Sequence, residues 1–365
     1  MTGKSPIEWC EQTWNPIVGC SIVSPGCTNC YAIPRAYRIR MASEVTDGAS
    51  HYCGTVKLHE SGKAIWTGKV ALAPDSALLA PLRRRKPTTY FVNSMGDLFH
   101  ESIPDEWIDR VFAVMALSPQ HTFQVLTKRS ARMRAYLSAA RAAPVGLEAF
   151  GLTLDAMATN PKSRVGEGCI LQGDIVHLRD WPLRNVWLGI SAEDQRRADE
   201  RMPDLLATPA AVRFVSAEPL LGSISFRWAK WDGWRDSAGG ARSAVNEYDG
   251  LRMLDWIIVG GESGPGARPM HPDWARSIRD QCAAAGVAFF FKQWGAWAPA
   301  EFGTDPDNAH ALYQTEKVAP FDSWKARVYD PDATEGVNWR LLGKARSGRL
   351  LDGVLHDAMP ARASG

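Results

Sequence analysis

What this sequence lacks narrows it first. No apolar run approaches the ~18 residues that a membrane-crossing helix needs. The opening Met1-Thr2-Gly3-Lys4-Ser5-Pro6 has no apolar stretch of the kind a secretion signal carries. An excess of one charge is also missing: 42 Lys and Arg face 40 Asp and Glu, a net +2. Net charge therefore argues for no polyanionic partner, and only local patches can do so. There is no His-Glu-x-x-His, no Gly-x-Ser-x-Gly and no Gly-x-x-x-x-Gly-Lys-Ser/Thr, so hydrolase and triphosphate-loop readings are poor. The expectation is a cytoplasmic protein without a membrane partner.

What is present is ordinary in bulk and unusual in detail. Apolar residues make up 45% and charged residues 22% of the 365 positions, as in globular proteins generally. That length supports a normal core without disulfide staples. Fifteen Trp residues supply packing and material for flat stacking surfaces. Seven Cys is an odd number, and three of them cluster. Without a secretion signal this points to metal or redox chemistry, not to a disulfide framework.

Along the chain, apolar β-branched and aromatic runs alternate with amphipathic segments. Strands are predicted at 17–19, 89–93, 122–126, 186–190, 212–215, 256–259 and 287–291. Helices are predicted at 31–44, 75–84, 105–117, 130–142, 193–207 and 272–285. Continuous apolar strands separated by helices imply a parallel sheet covered on both faces. The expected fold is α/β, a partial or full parallel (β/α) barrel, with a doubly wound sheet as the alternative. A barrel of ~200 to over 400 residues accommodates the length. The rhythm breaks at 144–184 and 223–252, read as insertions in a barrel spanning 1–297. Residues 298–365 read as a C-terminal extension that packs on it.

The sharpest local signal is Gly19-Cys20-Ser21-Ile22-Val23-Ser24-Pro25-Gly26-Cys27-Thr28-Asn29-Cys30-Tyr31, with the spacing C-x6-C-x2-C. Three thiolates on one loop can hold three irons of a four-iron cluster and leave the fourth open. The same loop admits a structural zinc site, completed by Cys10 or Cys53, since zinc favours four protein ligands. It also admits three buried, inert thiols.

In parallel α/β folds, ligands sit at the carboxyl ends of the strands. Every predicted strand from 89–93 onward empties into polar, charged or glycine residues: Ser94-Met95-Gly96-Asp97, Thr127-Lys128-Arg129, Ser191-Ala192-Glu193, Ser216-Ala217-Glu218-Pro219, Gly260-Gly261-Glu262-Ser263-Gly264 and Lys292-Gln293-Trp294. Loops are polar in any case, but six in register describe a barrel mouth. Taken singly, Lys128 also reads as a surface cation and Glu218 as a turn residue. Basic runs at Arg83-Arg84-Arg85-Lys86 and around Lys128, Arg129, Arg132 and Arg134 read either as solvated helix faces or as phosphate contacts. Trp228, Trp231 and Trp234 pack an insertion or offer a platform for bases. His100 is a surface histidine or a substrate contact.

The stretch Trp14-Asn15-Pro16-Ile17-Val18-Gly19-Cys20, with Cys27-Thr28-Asn29-Cys30-Tyr31-Ala32, resembles the opening of radical S-adenosylmethionine proteins, closest to their spore photoproduct lyase-like branch. The fuller resemblance is to a phage-associated family of three-cysteine proteins. It runs from Ile7 to about Trp297 and more weakly to Pro360. One departure is the spacing: the usual C-x3-C-x2-C has three extra residues here.

The resemblance implies a radical S-adenosylmethionine-type barrel with a 4Fe-4S cluster on Cys20, Cys27 and Cys30. It implies S-adenosylmethionine as cofactor and a reductase or flavodoxin-like electron donor as partner. Asp97 would accept from the cofactor's amino group, beside Ser94. Lys128 or Arg129 would hold its carboxylate, Ser191 or Glu193 its ribose, and Tyr31 with Gly260 and Gly261 its adenine. Glu218, Glu262 and Lys292 would meet the substrate, which the resemblance makes a nucleic-acid base or nucleotide. The competing expectation is a zinc-stabilised nucleic-acid-binding or partner-docking protein without catalysis. A cluster used only for structure or electron transfer is the third.

Overall fold

A computed structural model describes residues 7–46, 50–140, 182–226, 250–299 and 338–360, with short pieces at 5, 170–172, 175–177 and 318–320. Its centre is one seven-stranded sheet. The strands are β1 Gln12–Trp14, β2 Thr89–Val92, β3 Thr122–Thr127, β4 Val186–Ser191, β5 Val212–Ala217, β6 Trp256–Gly260 and β7 Ala288–Gln293. They lie side by side in chain order, and every neighbouring pair is parallel. A doubly wound sheet reverses its strand order at a switch point. This order never reverses, so that alternative is set aside. The sheet curls into a half-barrel, with β1 at one edge and β7 at the other.

Helices α1 Ala32–Thr46, α2 Asp105–Ala116, α3 Ser130–Ala140, α4 Gln195–Ala207 and α5 Pro272–Ala285 alternate with the strands. α5 begins where the His271 ring accepts from the Asp273 amide and Pro272 occupies the first turn. Alternate residues of each strand divide between two cores. Tyr90, Val92, Phe123, Val125, Leu188, Ile190, Val215, Ile257 and Phe291 belong to the core that includes the helices. Phe91, Trp187, Phe214, Trp256, Ile258 and Phe290 form a second core with Trp9. Trp9, just ahead of β1, lies 4.6 Å from the Phe91 ring and 6.1 Å from Trp256. Both faces of the strands are thus largely buried, which is why they read as mostly apolar runs.

Two local expectations change. Ile17–Val18 is extended but pairs antiparallel with Ala71–Leu72, and the first sheet strand is Gln12–Trp14 instead. The helix predicted at 75–84 stops at Leu78 and resumes as a 3-10 turn at Pro81–Arg83. Pro81 has no N–H to continue an α-helix.

The C-terminal residues close over β7. Phe291 N donates to His356 O, Trp256 Nε1 to Ala358 O and Trp294 Nε1 to Leu350 O. Asn338–Leu341 pairs with Trp297–Pro299, and Asp352 pairs with Arg276 and Arg279 of α5. The edge strand is thereby covered. The insertions expected at 144–184 and 223–252, with Trp228, Trp231 and Trp234, lie almost wholly outside the described residues. Among the described residues no helix is long and apolar enough to cross a membrane.

Candidate active site

One cavity opens at the carboxyl ends of the strands. Its wall takes Asn93, Ser94 and Asp97 from beyond β2, Thr127, Lys128 and Arg129 from the end of β3, and Ser191 from β4. Ser216 from β5, Glu218 just beyond it, Gly261 and Glu262 from beyond β6, and Lys292 of β7 continue the wall. Cys20, Cys27, Asn29, Cys30 and Tyr31 of the cysteine loop line the same cavity, and Trp9 and Phe91 add an aromatic surface.

Charged residues from three strand ends grip the cysteine loop. After β3, Arg129 Nη2 donates to Ser21 Oγ at 2.7 Å and Nη1 donates to Cys20 Sγ at 3.7 Å. After β4, Glu193 Oε1 accepts from the Gly26 amide at 3.2 Å, while its Oε2 accepts from Arg201 at 2.9 Å. After β6, Glu262 Oε2 accepts from Asn29 Nδ2 at 2.9 Å and is forked by Arg268, whose Nη2 also donates to Pro25 O. A loop with six residues between its first two cysteines is expensive to order by itself. Here its start, middle and end are each tied to a different strand.

The six cysteines among the described residues are free thiols. Burial pushes the Cys20 thiol up to about 12, with Asp97 adding to the rise and Arg129 opposing it. Burial also raises Cys30, against the amides of Ala32 and Ile33 at the start of α1, which favour its thiolate. Cys10 and Cys53 are not part of the cavity wall: Cys10 is buried beside Ser5 and Ile7, and Cys53 is exposed. Among the described residues no group of three His, Cys, Asp or Glu is arranged to hold a metal ion. The three wall thiols are the soft donors that iron–sulfur clusters take. They are partly exposed, free of disulfides and on one cavity, so in ligand type, though not in present arrangement, they suit such a cluster.

Comparison with protein families matches residues 4–360 to a family described as a protein of unknown function, DUF5131. The chain belongs to that family. No curated protein and no solved structure matches it.

Within this DUF5131 chain, the expected site residues separate into two groups. Asp97 has both oxygens engaged: Oδ1 accepts from Phe99 N and Thr127 Oγ1, and Oδ2 from Lys128 N and Arg129 Nη1. It organises the ends of β2 and β3 rather than presenting a free acceptor. Glu193 is fully buried and absent from the cavity wall. Glu262 is spent on Arg268 and Asn29, and Arg129 on Glu101, Asp97, Ser21 and Cys20. Gly260 stays behind the wall, where a Cβ would come within 3.2 Å of the Glu218 carboxyl carbon. At Gly261 a Cβ would fall 1.9 Å from Trp294 O.

The second group faces the cavity with capacity to bind. No side-chain hydrogen bond or ion pair of Lys128 is found among the described residues, and Ser191 is on the wall. Tyr31 donates to Ser94 O at 3.1 Å. Lys292 Nζ donates to Glu218 Oε1 at 2.6 Å and Oε2 at 2.8 Å.

His100 is buried, not a surface residue. Its Nδ1 accepts from Ser102 N, which leaves Nε2–H to donate to Ser21 Oγ at 3.0 Å. In the basic run, Arg132 and Arg134 pair with Asp105 and Asp204, as solvated helix faces do. Sequence reasoning missed Asn15, whose Oδ1 accepts from Ser94 Oγ and Met95 N, and Asn93, whose Oδ1 accepts from Ile17 N. It also missed Asn29, Arg201 and Arg268. Asn15 bonds to residues 79 and 80 positions away, a pairing that no local pattern announces. Asn29 and Asn93 bond to partners far off in the chain, and Arg201 and Arg268, though eight and six residues from their carboxylates, sit in no pattern that marks the pairing.

Proposed function

We propose that this chain is a radical S-adenosylmethionine enzyme, with Cys20, Cys27 and Cys30 holding a 4Fe-4S cluster. The observation that carries the reading is the shared cavity, lined by three free thiols together with polar groups from the strand ends. The parallel half-barrel and the resemblance of the Trp14–Ala32 stretch support the same reading. A cluster held by Cys20, Cys27 and Cys30 would supply the single electron needed for reductive cleavage of S-adenosylmethionine.

The chain's own residues bind, orient and exclude water. Lys128, whose ammonium group has no hydrogen-bond partner among the described residues though its charge also acts on Glu193, is placed for the cofactor's carboxylate. Ser191 offers a hydroxyl for the ribose, and Tyr31, braced on Ser94 O, offers a flat face for the adenine. Asp97 holds the Lys128 amide and so aims that residue. Glu218 and Lys292 remain for the substrate. Trp9 and Phe91 keep the inner wall apolar, which shields a reactive intermediate from solvent. A nucleic-acid base or nucleotide remains the substrate class, on the resemblance to spore photoproduct lyase. The electron comes from a flavodoxin-like donor.

The test is anaerobic iron–sulfide reconstitution, then reduction with S-adenosylmethionine and assay for 5′-deoxyadenosine. The expected result is cluster absorbance and 5′-deoxyadenosine from the wild type, and neither from C20A/C27A/C30A. A protein that refuses iron and co-purifies with zinc overturns the reading, as does full activity in the triple variant.

A further inference from the structure

Arg129 is a costly residue to bury. It is 7% exposed, and an ion taken out of water loses several kcal/mol of hydration that its partners must restore. Every N–H of its guanidinium has an acceptor. Nε–H is shared by the two oxygens of Glu101 at 2.9 Å. Nη1 donates to Asp97 Oδ2 at 3.1 Å and to Cys20 Sγ at 3.7 Å. Nη2 donates to Ser21 Oγ at 2.7 Å and to Ser21 O at 3.5 Å. Two carboxylates hold the fork from behind, and its free edge is spent on the first cysteine and the residue after it. His100 adds a second contact to the same Ser21 hydroxyl. Nothing in the clamps at Gly26 or Asn29 touches a thiol in this way.

We propose that Arg129 is a positioning residue for the cluster site: it fixes Cys20 and, through the N–H···S hydrogen bond and its charge, raises the reduction potential of the group bound there. This rests on the cluster reading of the previous subsection. Adding an electron makes a cluster more negative. Hydrogen bonds to its ligand sulfurs and a nearby cation favour that reduced state. A guanidinium does not deprotonate in proteins, so its charge is constant through the working pH range. Glu101 partly offsets that charge, and its side chain is 63% exposed. It is the adjustable partner: neutralising it leaves the fold in place and the guanidinium more electropositive.

The experiment compares reconstituted wild type, Arg129→Gln and Glu101→Gln. Iron and sulfide per chain are counted, and the one-electron midpoint is read by electron paramagnetic resonance during dithionite titration. Arg129→Gln should lower the reduced-to-oxidised ratio at a fixed poise about tenfold, equal to about 59 mV for a one-electron couple. Glu101→Gln should move the midpoint the opposite way. Opposite shifts at full loading support the proposal, because a merely structural arginine would change loading without this pairing of signs. Equal midpoints in all three loaded proteins overturn the role of Arg129 and leave the cluster reading intact. A wild type that takes up no iron overturns both, and the iron count separates these cases. If Arg129→Gln cannot be loaded, Glu101→Gln decides: a raised midpoint supports the proposal and an unchanged one overturns it.

Discussion

Glu218 reaches across β6 to Lys292, and both carboxylate oxygens lie within 2.8 Å of Nζ. The two residues come from just beyond β5 and from β7, strands that are not neighbours in the sheet. Gly260 at the end of the intervening strand makes the crossing feasible, since any side chain there would meet the Glu218 carboxylate. The pair is 18% and 10% exposed and lines the cavity, where a ligand can reach it.

The first prediction concerns that pair. Lys292→Met should cost about 2–4 kcal/mol in urea unfolding, because it strands a mostly buried carboxylate. Adding Glu218→Gln should recover part of the loss, with a coupling of about 1–3 kcal/mol. A cycle in which the two changes simply add would mean that the contact is not formed.

Gly261→Ala should be severe. Its Cβ would overlap the backbone carbonyl of Trp294, and backbone cannot swing aside as a side-chain end can. A loss of about 3 kcal/mol or more, or failure to fold, is expected. Gly222→Ala is the control, since its Cβ meets only ordinary contact with Asp194; its unfolding midpoint should match the wild type.

Asp97→Asn should destabilise the protein with no cofactor added, by about 2–4 kcal/mol. The change disturbs acceptors for Phe99 N, Thr127 Oγ1, Lys128 N and Arg129. An Asp97 that served only the cofactor would leave the cofactor-free melting temperature untouched.

Glu193 predicts a pH dependence. Burial raises its pKa, but Lys128, Arg201, Ser24 and the Gly26 amide outweigh that and hold it below the usual 4.5. A depressed carboxyl stabilises the fold above its unfolded-state pKa, and that contribution is lost as pH falls through the folded one. The stability gap between wild type and Glu193→Gln should therefore be full at neutral pH and shrink below 4.5. A gap independent of pH between about 7 and 3.5 would show that the carboxylate charge is not what holds the loop.

The long elements were readable for a physical reason. β3 to β7 are buried on both faces, so each is a mostly apolar run, broken by Gln124 in β3 and Arg213 in β5, and α4 and α5 keep one apolar stripe. β1 was not readable: Gln12-Thr13-Trp14 has no apolar pattern and is a strand because β2 offers it hydrogen bonds. Ile17–Val18 looked more like a strand of the main sheet, yet its buried faces are satisfied by a short antiparallel partner instead.

The cysteine spacing and the polar residues at each strand end are properties of the sequence alone, since ligand chemistry and chain order are both written in it. Which of those polar residues serve the loop and which face the cavity was decided only by the tertiary structure. Glu193 and Glu262 looked like ligand contacts beside Glu218, because all three are acidic residues following apolar strands. Burial against Arg201 and Arg268 turns the first two into clamps. A carboxylate's role depends on which cation reaches it first: Arg201 and Arg268 lie only eight and six residues downstream, but the sequence does not say that the folded backbone turns them onto Glu193 and Glu262.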